Sequence, residues 1–174
     1  MYANSFMHSF EEDNILKKFG KHIIKYLCFI NDILIIWNGD DQSFINMMSA
    51  LNALNSPVKL PSQWSTTQID FLDLQIYIEG NRLGYTLYSK DIDRNSILHA
   101  SSFHPRRLKE SLPISQFLRV LRNNSDSTKA SKQVQQMYQK FQERGYTHSI
   151  LTTALQQAYK LIEEPMGRTE IGDV

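Results

Sequence analysis

The densest apolar stretch of the chain covers residues 26–37, "YLCFINDILIIW", in which ten of twelve residues are apolar or aromatic. Asn31 and Asp32 interrupt it and leave two short apolar runs, 26–30 and 33–37. Because Asn and Asp adopt positive φ more readily than other non-glycine residues, this pair suits a two-residue hairpin turn. A continuous buried helix is the alternative, since a short apolar run does not define a period.

The next two segments have clear but different periods. Apolar residues recur at helical spacing between residues 40 and 55, with Asp40 or Asp41 as the N-cap. Residues 69–90 alternate between apolar and polar positions, and 79–82 carry a turn signal. The pattern predicts one helix and then a second β-hairpin, whose first strand places Leu72, Leu74, Ile76 and Ile78 on one face.

Strand signals end near residue 92, and the following pattern is helical. Residues 91–107 are predicted to be an irregular connection, in which Pro105 opens a short helical stretch. Three helices are then predicted: from Ser115 to about residue 123, over 128–144, and after Thr147, a good N-cap. A glycine-containing turn at 145–147 makes the last two a helix-turn-helix unit. The predicted fold class is α+β, with domains at 1–92 and 93–162 and a disordered tail at 163–174.

The charge is divided unequally along the chain, although the net charge is only +1. Residues 1–90 hold 7 Lys/Arg against 9 Asp/Glu, whereas residues 94–144 hold 10 Lys/Arg against 3 Asp/Glu, a net charge of +7. A basic segment of this kind is typical of contact with a phosphate backbone. Solvated faces of ordinary helices are the alternative interpretation.

Composition restricts the class of protein further. Apolar residues make up 41% and charged residues 21%, as in a soluble globular protein, and the run at 26–37 is too short to span a bilayer. The N-terminus lacks the basic start and apolar core of a signal peptide. A single cysteine, Cys28, excludes an internal disulfide and a cysteine-cluster zinc site. We expect an intracellular protein, in the nucleus or the cytoplasm, with no membrane partner.

A carboxylate held at the tip of a buried hairpin suits one particular chemistry. Mg²⁺ prefers oxygen ligands and needs only one or two carboxylates when substrate phosphates complete its coordination. Polymerases use two such ions to stabilise the attacking and leaving oxygens of phosphoryl transfer. Asp32 is therefore a candidate metal ligand and catalytic residue.

"FINDILIIW" resembles the Tyr-x-Asp-Asp hairpin of reverse transcriptases, and most closely the version in Penelope-like retroelements. "YANSFM" (2–7) is similar to the end of the preceding palm motif, and the Phe-Leu-Asp strand and the Ser-Phe-His-Pro sequence resemble the region after the hairpin. The helices at 115–160 resemble the family's C-terminal helix-turn-helix segment. The resemblance implies a partial polymerase palm of two hairpins and a helix, followed by a thumb-like region, and Mg²⁺ as the cofactor of the intact family.

Two departures limit what the resemblance implies. Asn31 stands where the family has its first hairpin Asp, so a neutral amide oxygen replaces an anionic ligand and only Asp32 keeps the family's role. The upstream palm strand with its metal-binding Asp is expected to lie before Met1. The resemblance therefore implies a truncated, inactive RNA-directed DNA polymerase that binds no Mg²⁺ by itself.

Eight residues are predicted to contact nucleic acid, all in the basic segment: His104, Arg106, Arg107, Lys109, Arg119, Arg122, Lys132 and Lys140. Three softer candidates are Asp73 of the Phe-Leu-Asp strand, which an exposed polar position also explains, and His99 with His104 as a zinc pair, which ordinary loop hydrogen bonding also explains. A helix-turn-helix reader would present its last helix to a groove, but that helix carries only Lys160. Contact with the backbone of an RNA–DNA or DNA duplex is the more economical hypothesis.

Three functions remain open from the sequence. The first is the truncated reverse-transcriptase-like fragment, with the missing part of a longer polymerase as a further partner. The second is a helix-turn-helix module that binds nucleic acid through residues 93–162. The third is a decayed product without function, which self-associates through exposed sheet edges and apolar faces.

Overall fold

The computed structural model describes residues 2–88 and 95–163, and these residues form an α+β fold with two small antiparallel sheets and a helical C-terminal region. The chain divides into two compact units, Met1–Thr66 and Thr67–Val174. The predicted fold class is confirmed. Each unit has its own core and is described separately.

The first unit begins with a helical segment that the sequence pattern did not reveal. Helix α1 (Tyr2–Glu11) continues through a π-helical turn (Glu12–Leu16), a short helix α2 (Lys17–Phe19) and a 3₁₀ turn (Gly20–His22). Strands β1 (Ile23–Phe29) and β2 (Asp32–Trp37) then pair as an antiparallel hairpin, and helix α3 covers Asp41–Asn52. The Asp40 side chain accepts a hydrogen bond from the Ser43 backbone N–H at 2.9 Å, so the predicted capped helix is confirmed.

The core of this unit forms where α3 and the first helical segment meet the hairpin. Ile15, Met47 and Leu51 are buried, and partly buried residues of β2, among them Ile33 and Trp37, pack against them. The hydrophobic effect on α3 and β2 therefore holds the hairpin in place.

The predicted hairpin is present, but the prediction of its turn was wrong by one residue. The turn residues are Ile30 and Asn31, and Asp32 is the first residue of β2, paired with Phe29. Ile30 takes the positive φ of 58°, which a β-branched residue rarely adopts. A one-residue slip would turn every β2 side chain to the opposite face, so burial of β2 sets the register and outweighs the turn preference of Asn31-Asp32.

The second unit begins with a three-stranded sheet in the order β3-β4-β5. The strands are β3 (Gln68–Phe71), β4 (Leu74–Glu79) and β5 (Arg82–Leu87). The predicted turn between β4 and β5 is confirmed, and Gly80 supplies its positive φ of 60°. The single strand predicted through Leu72 was wrong, because the chain reverses there: Leu72 has a φ of 56° and Asp73 completes a turn between β3 and β4.

Three helices complete the second unit: α4 (Arg106–Arg122), α5 (Ser127–Glu143) and α6 (His148–Glu163). The predicted bounds of α5 are confirmed to within a residue and so is the predicted start of α6, and the Asp126 side chain caps α5 by accepting from Lys129 N at 2.7 Å. The predicted start of the first helix at Ser115 was wrong. Helix α4 begins nine residues earlier and runs through Pro113, whose fully buried ring joins the packing that outweighs the missing N–H.

The core of the second unit lies among the three helices. Phe117, Val120, Phe141, Leu151 and Ala158 are each at most 1% exposed, and α6 packs chiefly against α4. Partly buried side chains from outside the helices also contact this core, namely Leu87 of β5 and Ile97 and Ala100 of the connection. The sheet therefore shares a core with the helices.

Hydrogen bonds join the outer edge of β5 to the α4–α5 linker. The Tyr85 N–H donates to Ser125 Oγ at 2.8 Å, and the Ser125 N–H donates to the Tyr85 carbonyl at 2.9 Å. Gln133 Nε2 donates to the Leu87 carbonyl at 2.9 Å. These bonds explain why the compact unit begins at Thr67, whereas the change in composition lies near residue 92. They also cover one sheet edge that was expected to be open.

The predicted tail at 163–174 lies outside the described residues from position 164 onward. Within the described residues, no helix has the length and apolar character needed to cross a bilayer.

Gly84 of β5 is buried beneath the ring of Tyr77, its cross-strand partner in β4. A Cβ at residue 84 would lie 2.5 Å from two ring carbons of Tyr77. The Nζ of Lys129, a residue of α5, lies 3.5 Å from the centre of the same ring. We expect Gly84→Ala to lower the free energy of unfolding by about 1–3 kcal/mol, because the ring must move out of a packed position. Urea denaturation followed by circular dichroism measures this change.

The double variant Tyr77→Ala/Gly84→Ala is the control. With the ring removed, Gly84→Ala should cost little compared with Tyr77→Ala alone. Equal costs of Gly84→Ala in the two backgrounds would contradict the proposed steric cause.

Candidate nucleic-acid interface

The two hairpin residues predicted for metal chemistry lie at the surface of the first unit. Asn31 and Asp32 are both exposed, Asn31 in the turn and Asp32 at the start of β2. Over residues 2–88 and 95–163, no three His, Cys, Asp or Glu side chains lie close enough to hold a metal ion together. The Mg²⁺ site of the resembled family and the lack of activity of this chain both stay predictions.

A second acidic group near the hairpin was missed by sequence reasoning. Glu11 is only 7% exposed, and the Cys28 thiol donates to its Oε1 at 3.3 Å. Partial burial, the hydrogen bond to Glu11 and the carboxylate charge raise the pKa of the Cys28 thiol. Burial and the same charge raise the pKa of the Tyr26 phenol. No sequence signal connects Glu11 with Cys28, because the hairpin and α1 meet only in the folded unit.

The two predicted histidines of the connection before α4 have different environments. His99 Nδ1 accepts from the Ser101 N–H at 3.2 Å and lies 2.8 Å from Ser101 Oγ, which matches the predicted loop hydrogen bonding. His104 is exposed and precedes the helix by two residues. His104 is therefore accessible to a ligand, whereas His99 is part of the loop structure.

Several predicted contact residues already have partners within the second unit. Lys109 Nζ donates to the carbonyls of Ala100 at 2.9 Å and Ser102 at 3.0 Å. Arg119 Nη2 lies 2.6 Å from Asp73 Oδ2, so this ion pair ties the β3–β4 turn to α4. These pairings favour structural roles for Lys109, Arg119 and Asp73.

Two other predicted cations, Arg106 and Lys140, have different surroundings. Arg106 pairs with Glu110 at 2.6 Å one turn further along α4, although its side chain is 89% exposed. Lys140 is half-buried on α5, and its backbone carbonyl accepts a hydrogen bond from Asn95 Nδ2 at 2.8 Å. An ion pair at the surface exchanges readily with solvent, so Arg106 can still meet a phosphate.

Arg107, Arg122 and Lys132 form what we call the free-cation surface. All three are exposed and make no hydrogen bond or ion pair with the residues that the structure describes. Arg107 and Arg122 are 15 residues apart on α4, about 22 Å along the axis and within roughly 60° around it. Lys132 lies on the second turn of α5. Two of these positive charges are thus spaced along one side of α4, and the third lies on α5.

Helix α6 has a different outer surface. Its exposed polar residues include Thr153, Gln156, Gln157 and Lys160, and its exposed apolar residues include Tyr159 and Leu161. Amide side chains can bond to base edges, but a single lysine gives this helix little attraction for phosphate. The geometry therefore favours α4 and α5 over α6 for contact with a phosphate backbone.

An open depression of about 290 Å³ in the first unit is lined by Lys18, Lys21, His22 and Trp37 together with Phe19 and Met47. It includes no residue predicted from the sequence to be functional. Lys18 Nζ donates to Asn14 Oδ1 at 2.9 Å, and the His22 and Trp37 rings are 5.1 Å apart. Several residues that line the depression therefore contact other residues of the first unit.

Comparison with known families supports the predicted helix-turn-helix character of the helical region. The sequence model of the animal helix-turn-helix domain matches residues 96–156, just over a third of the chain. The match covers the connection from residue 96 onward, α4, α5 and the first 9 of the 16 residues of α6. No curated protein and no solved structure matches the chain. Nothing in these comparisons supports the resemblance to reverse transcriptases, which stays a prediction.

The position of Cys28 beside Glu11 is testable through the thiol's reactivity. Because the raised pKa keeps the thiol protonated near neutral pH, Glu11→Gln removes the carboxylate charge and should lower that pKa. We expect alkylation by iodoacetamide near neutral pH to become several-fold faster. The gain should disappear at a pH above the thiol pKa of both proteins.

Glu12→Gln is the matched control, since Glu12 carries the same charge one residue away without this hydrogen bond. Unchanged alkylation of the Glu11→Gln protein near neutral pH, or an equal gain in the Glu12→Gln protein, would contradict the Cys28–Glu11 contact.

Proposed function

We propose that this protein binds the sugar-phosphate backbone of duplex nucleic acid through its helix-turn-helix region, with the free-cation surface of α4 and α5 as the contact. The observation that carries the proposal is the match of residues 96–156 to the animal helix-turn-helix domain. The three exposed cations without partners support the choice of surface. DNA is the favoured duplex, because helix-turn-helix domains are DNA-binding motifs.

Backbone contact explains the chemistry of this surface better than base reading does. Arginine and lysine neutralise phosphates without reference to sequence, and each neutralised phosphate releases counterions. The free-cation surface offers two such charges about 22 Å apart along α4 and a third on α5, whereas α6 offers Lys160 alone. The proposal places the protein where nucleic acid is found, in the nucleus or the cytoplasm.

A finer proposal follows from the resemblance described above. In it, the helical region is the thumb-like part of a reverse-transcriptase-like chain whose hairpin has lost its first carboxylate, and the bound duplex is an RNA–DNA hybrid. The order of elements supports it: a hairpin with Asn31 at its turn, a helix, a three-stranded sheet and then three helices. Asp32 keeps its carboxylate but lies in an exposed position.

The free-cation surface is tested by neutralising Arg107, Arg122 and Lys132 to Gln together. The slope of log affinity against log salt should fall by about 3, since roughly one unit is lost per phosphate contact. Between about 50 and 200 mM salt, the wild type should therefore lose roughly 40-fold more affinity than the triple variant does. Fluorescence anisotropy with a labelled DNA duplex and an RNA–DNA hybrid measures both quantities.

The matched control neutralises Lys17, Lys18 and Lys21, which changes the net charge of the chain by the same amount in the first unit. Its salt slope should stay that of the wild type. An unchanged slope in the Arg107/Arg122/Lys132 variant, or equal effects of the two triple variants, would remove this surface from the proposal.

The finer proposal is tested by primer extension on an RNA template with Mg²⁺. We expect no extension by the wild-type chain, because a neutral amide and one exposed carboxylate bind two divalent ions poorly. Asn31→Asp alone should not restore activity. Extension by either protein would contradict the proposed loss of polymerase activity and leave backbone binding untouched.

A further inference from the structure

The side chain of Phe103 is more exposed than any other large apolar side chain in the described residues, at 109% of the reference value. Burying a phenylalanine side chain is worth about 1.5–3 kcal/mol, so this position forgoes a large stabilisation. Phe103 lies in the connection, two residues before the N-cap Pro105 of α4. An exposed aromatic ring in a loose loop would need no explanation, but several hydrogen bonds hold this connection in place.

The connection is fixed on both sides of its middle. Asn95 Nδ2 donates to the Lys140 carbonyl at 2.8 Å and to Glu143 Oε2 at 3.0 Å, which holds its beginning on α5. The Ala100 N–H donates to the Arg144 carbonyl at 2.9 Å, at the turn between α5 and α6. Ile97 and Ala100 pack against the helical core.

Lys109 fixes the residues immediately before Phe103. Its ammonium bridges the carbonyls of Ala100 and Ser102, and the Ser102 N–H donates to the His99 carbonyl at 3.0 Å. His99 in turn lies against Gly145, where a Cβ would be 3.3 Å from its ring. The chain is thus held up to Ser102 and starts α4 at Arg106, so Phe103 projects from a supported backbone.

Two arginines follow Phe103 within four residues of the chain. Arg107 is exposed, and the Arg106 side chain is 89% exposed. Glu110, the one acidic residue on α4, lies a turn further on and pairs with Arg106. A flat ring among guanidinium groups suits a base with its adjacent phosphates, because a base stacks on an aromatic ring while the cations neutralise the backbone.

We infer that Phe103 is a stacking platform for an unpaired base, so that the preferred ligand is a junction between duplex and single strand. This inference rests on the proposed function, since the free-cation surface holds the duplex arm. A fully paired duplex keeps its bases stacked on one another and offers the ring no base, whereas a strand end or overhang does. Lys109 acts here as a positioning residue for the connection.

The experiment uses the full chain and three labelled DNA probes: a blunt duplex, the same duplex with a single-stranded overhang, and the overhang strand alone. The wild type should bind the overhang duplex at least about fivefold more tightly than the blunt duplex. Phe103→Ala should remove that difference and leave blunt-duplex binding and its salt slope unchanged. A 2-aminopurine in the overhang should report stacking through a fluorescence change that the variant lacks.

Two further variants separate stacking from apolar contact. Phe103→Trp keeps a flat ring and should keep the preference, whereas Phe103→Leu keeps apolar bulk and should lose it. Leu108→Ala is the control, because Leu108 is a 46% exposed apolar residue on the first turn of α4. It should behave as the wild type on every probe.

Other results would contradict either the stacking role of Phe103 or the proposed function. Equal binding of blunt and overhang duplexes by the wild type, or a full preference in Phe103→Ala, would overturn the stacking inference while salt-dependent duplex binding keeps the proposed function. Equal loss on all duplexes in Phe103→Ala would make the ring a duplex wedge and overturn it too. Wild-type dimers that Phe103→Ala converts to monomers, with unchanged DNA binding, would assign the ring to a protein contact. Failure of the wild type to bind any probe would overturn the proposed function itself.

Discussion

The second unit depends on the hydrogen bonding between the outer edge of β5 and the α4–α5 linker. An edge strand presents unpaired backbone groups that would otherwise bond to water or to another chain. Ser125 and Gln133 satisfy those of Tyr85 and Leu87, and Asn124 joins the same network through Thr86 and Gln133. Because Asp126 caps α5 directly afterwards, the start of α5 is fixed by the position of the sheet.

This packing decides which positive charges remain available. The excess of cations in residues 94–144 suggests a uniformly basic surface, yet Lys109 binds two carbonyls, Arg119 binds Asp73 and Lys129 lies over the Tyr77 ring. These three hold the connection and the sheet against the helices. The cations left without such a partner among the described residues are fewer than the sequence count. Part of the basic segment thus has a structural role.

Local signals were enough to predict the elements that local interactions determine. Helix α3 and the turn at Gly80 follow from a cap or a glycine that acts within a few residues, and α5 follows from its helical pattern of apolar residues. The displaced turn at Ile30, the break at Leu72 and the passage of α4 through Pro113 could not be predicted, because tertiary packing sets each against the residue's own preference. The same limit applied to the candidate site. The basic cluster was visible in the sequence, but the partners of Lys109 and Arg119 and the full exposure of Phe103 arise only from the fold.

Because of the hydrogen-bond network at β5, the segment matched by the family model differs from the compact structural unit. The segment that is similar to the animal helix-turn-helix family starts at residue 96, downstream of every strand that the structure describes. Excised there, the helices would lose Leu87 from their core, and Ser125 and Gln133 would lose their backbone partners. The segment matched by the family model is therefore smaller than the compact unit that contains it. A recombination event that moved the helices alone would have to bring a substitute for the sheet.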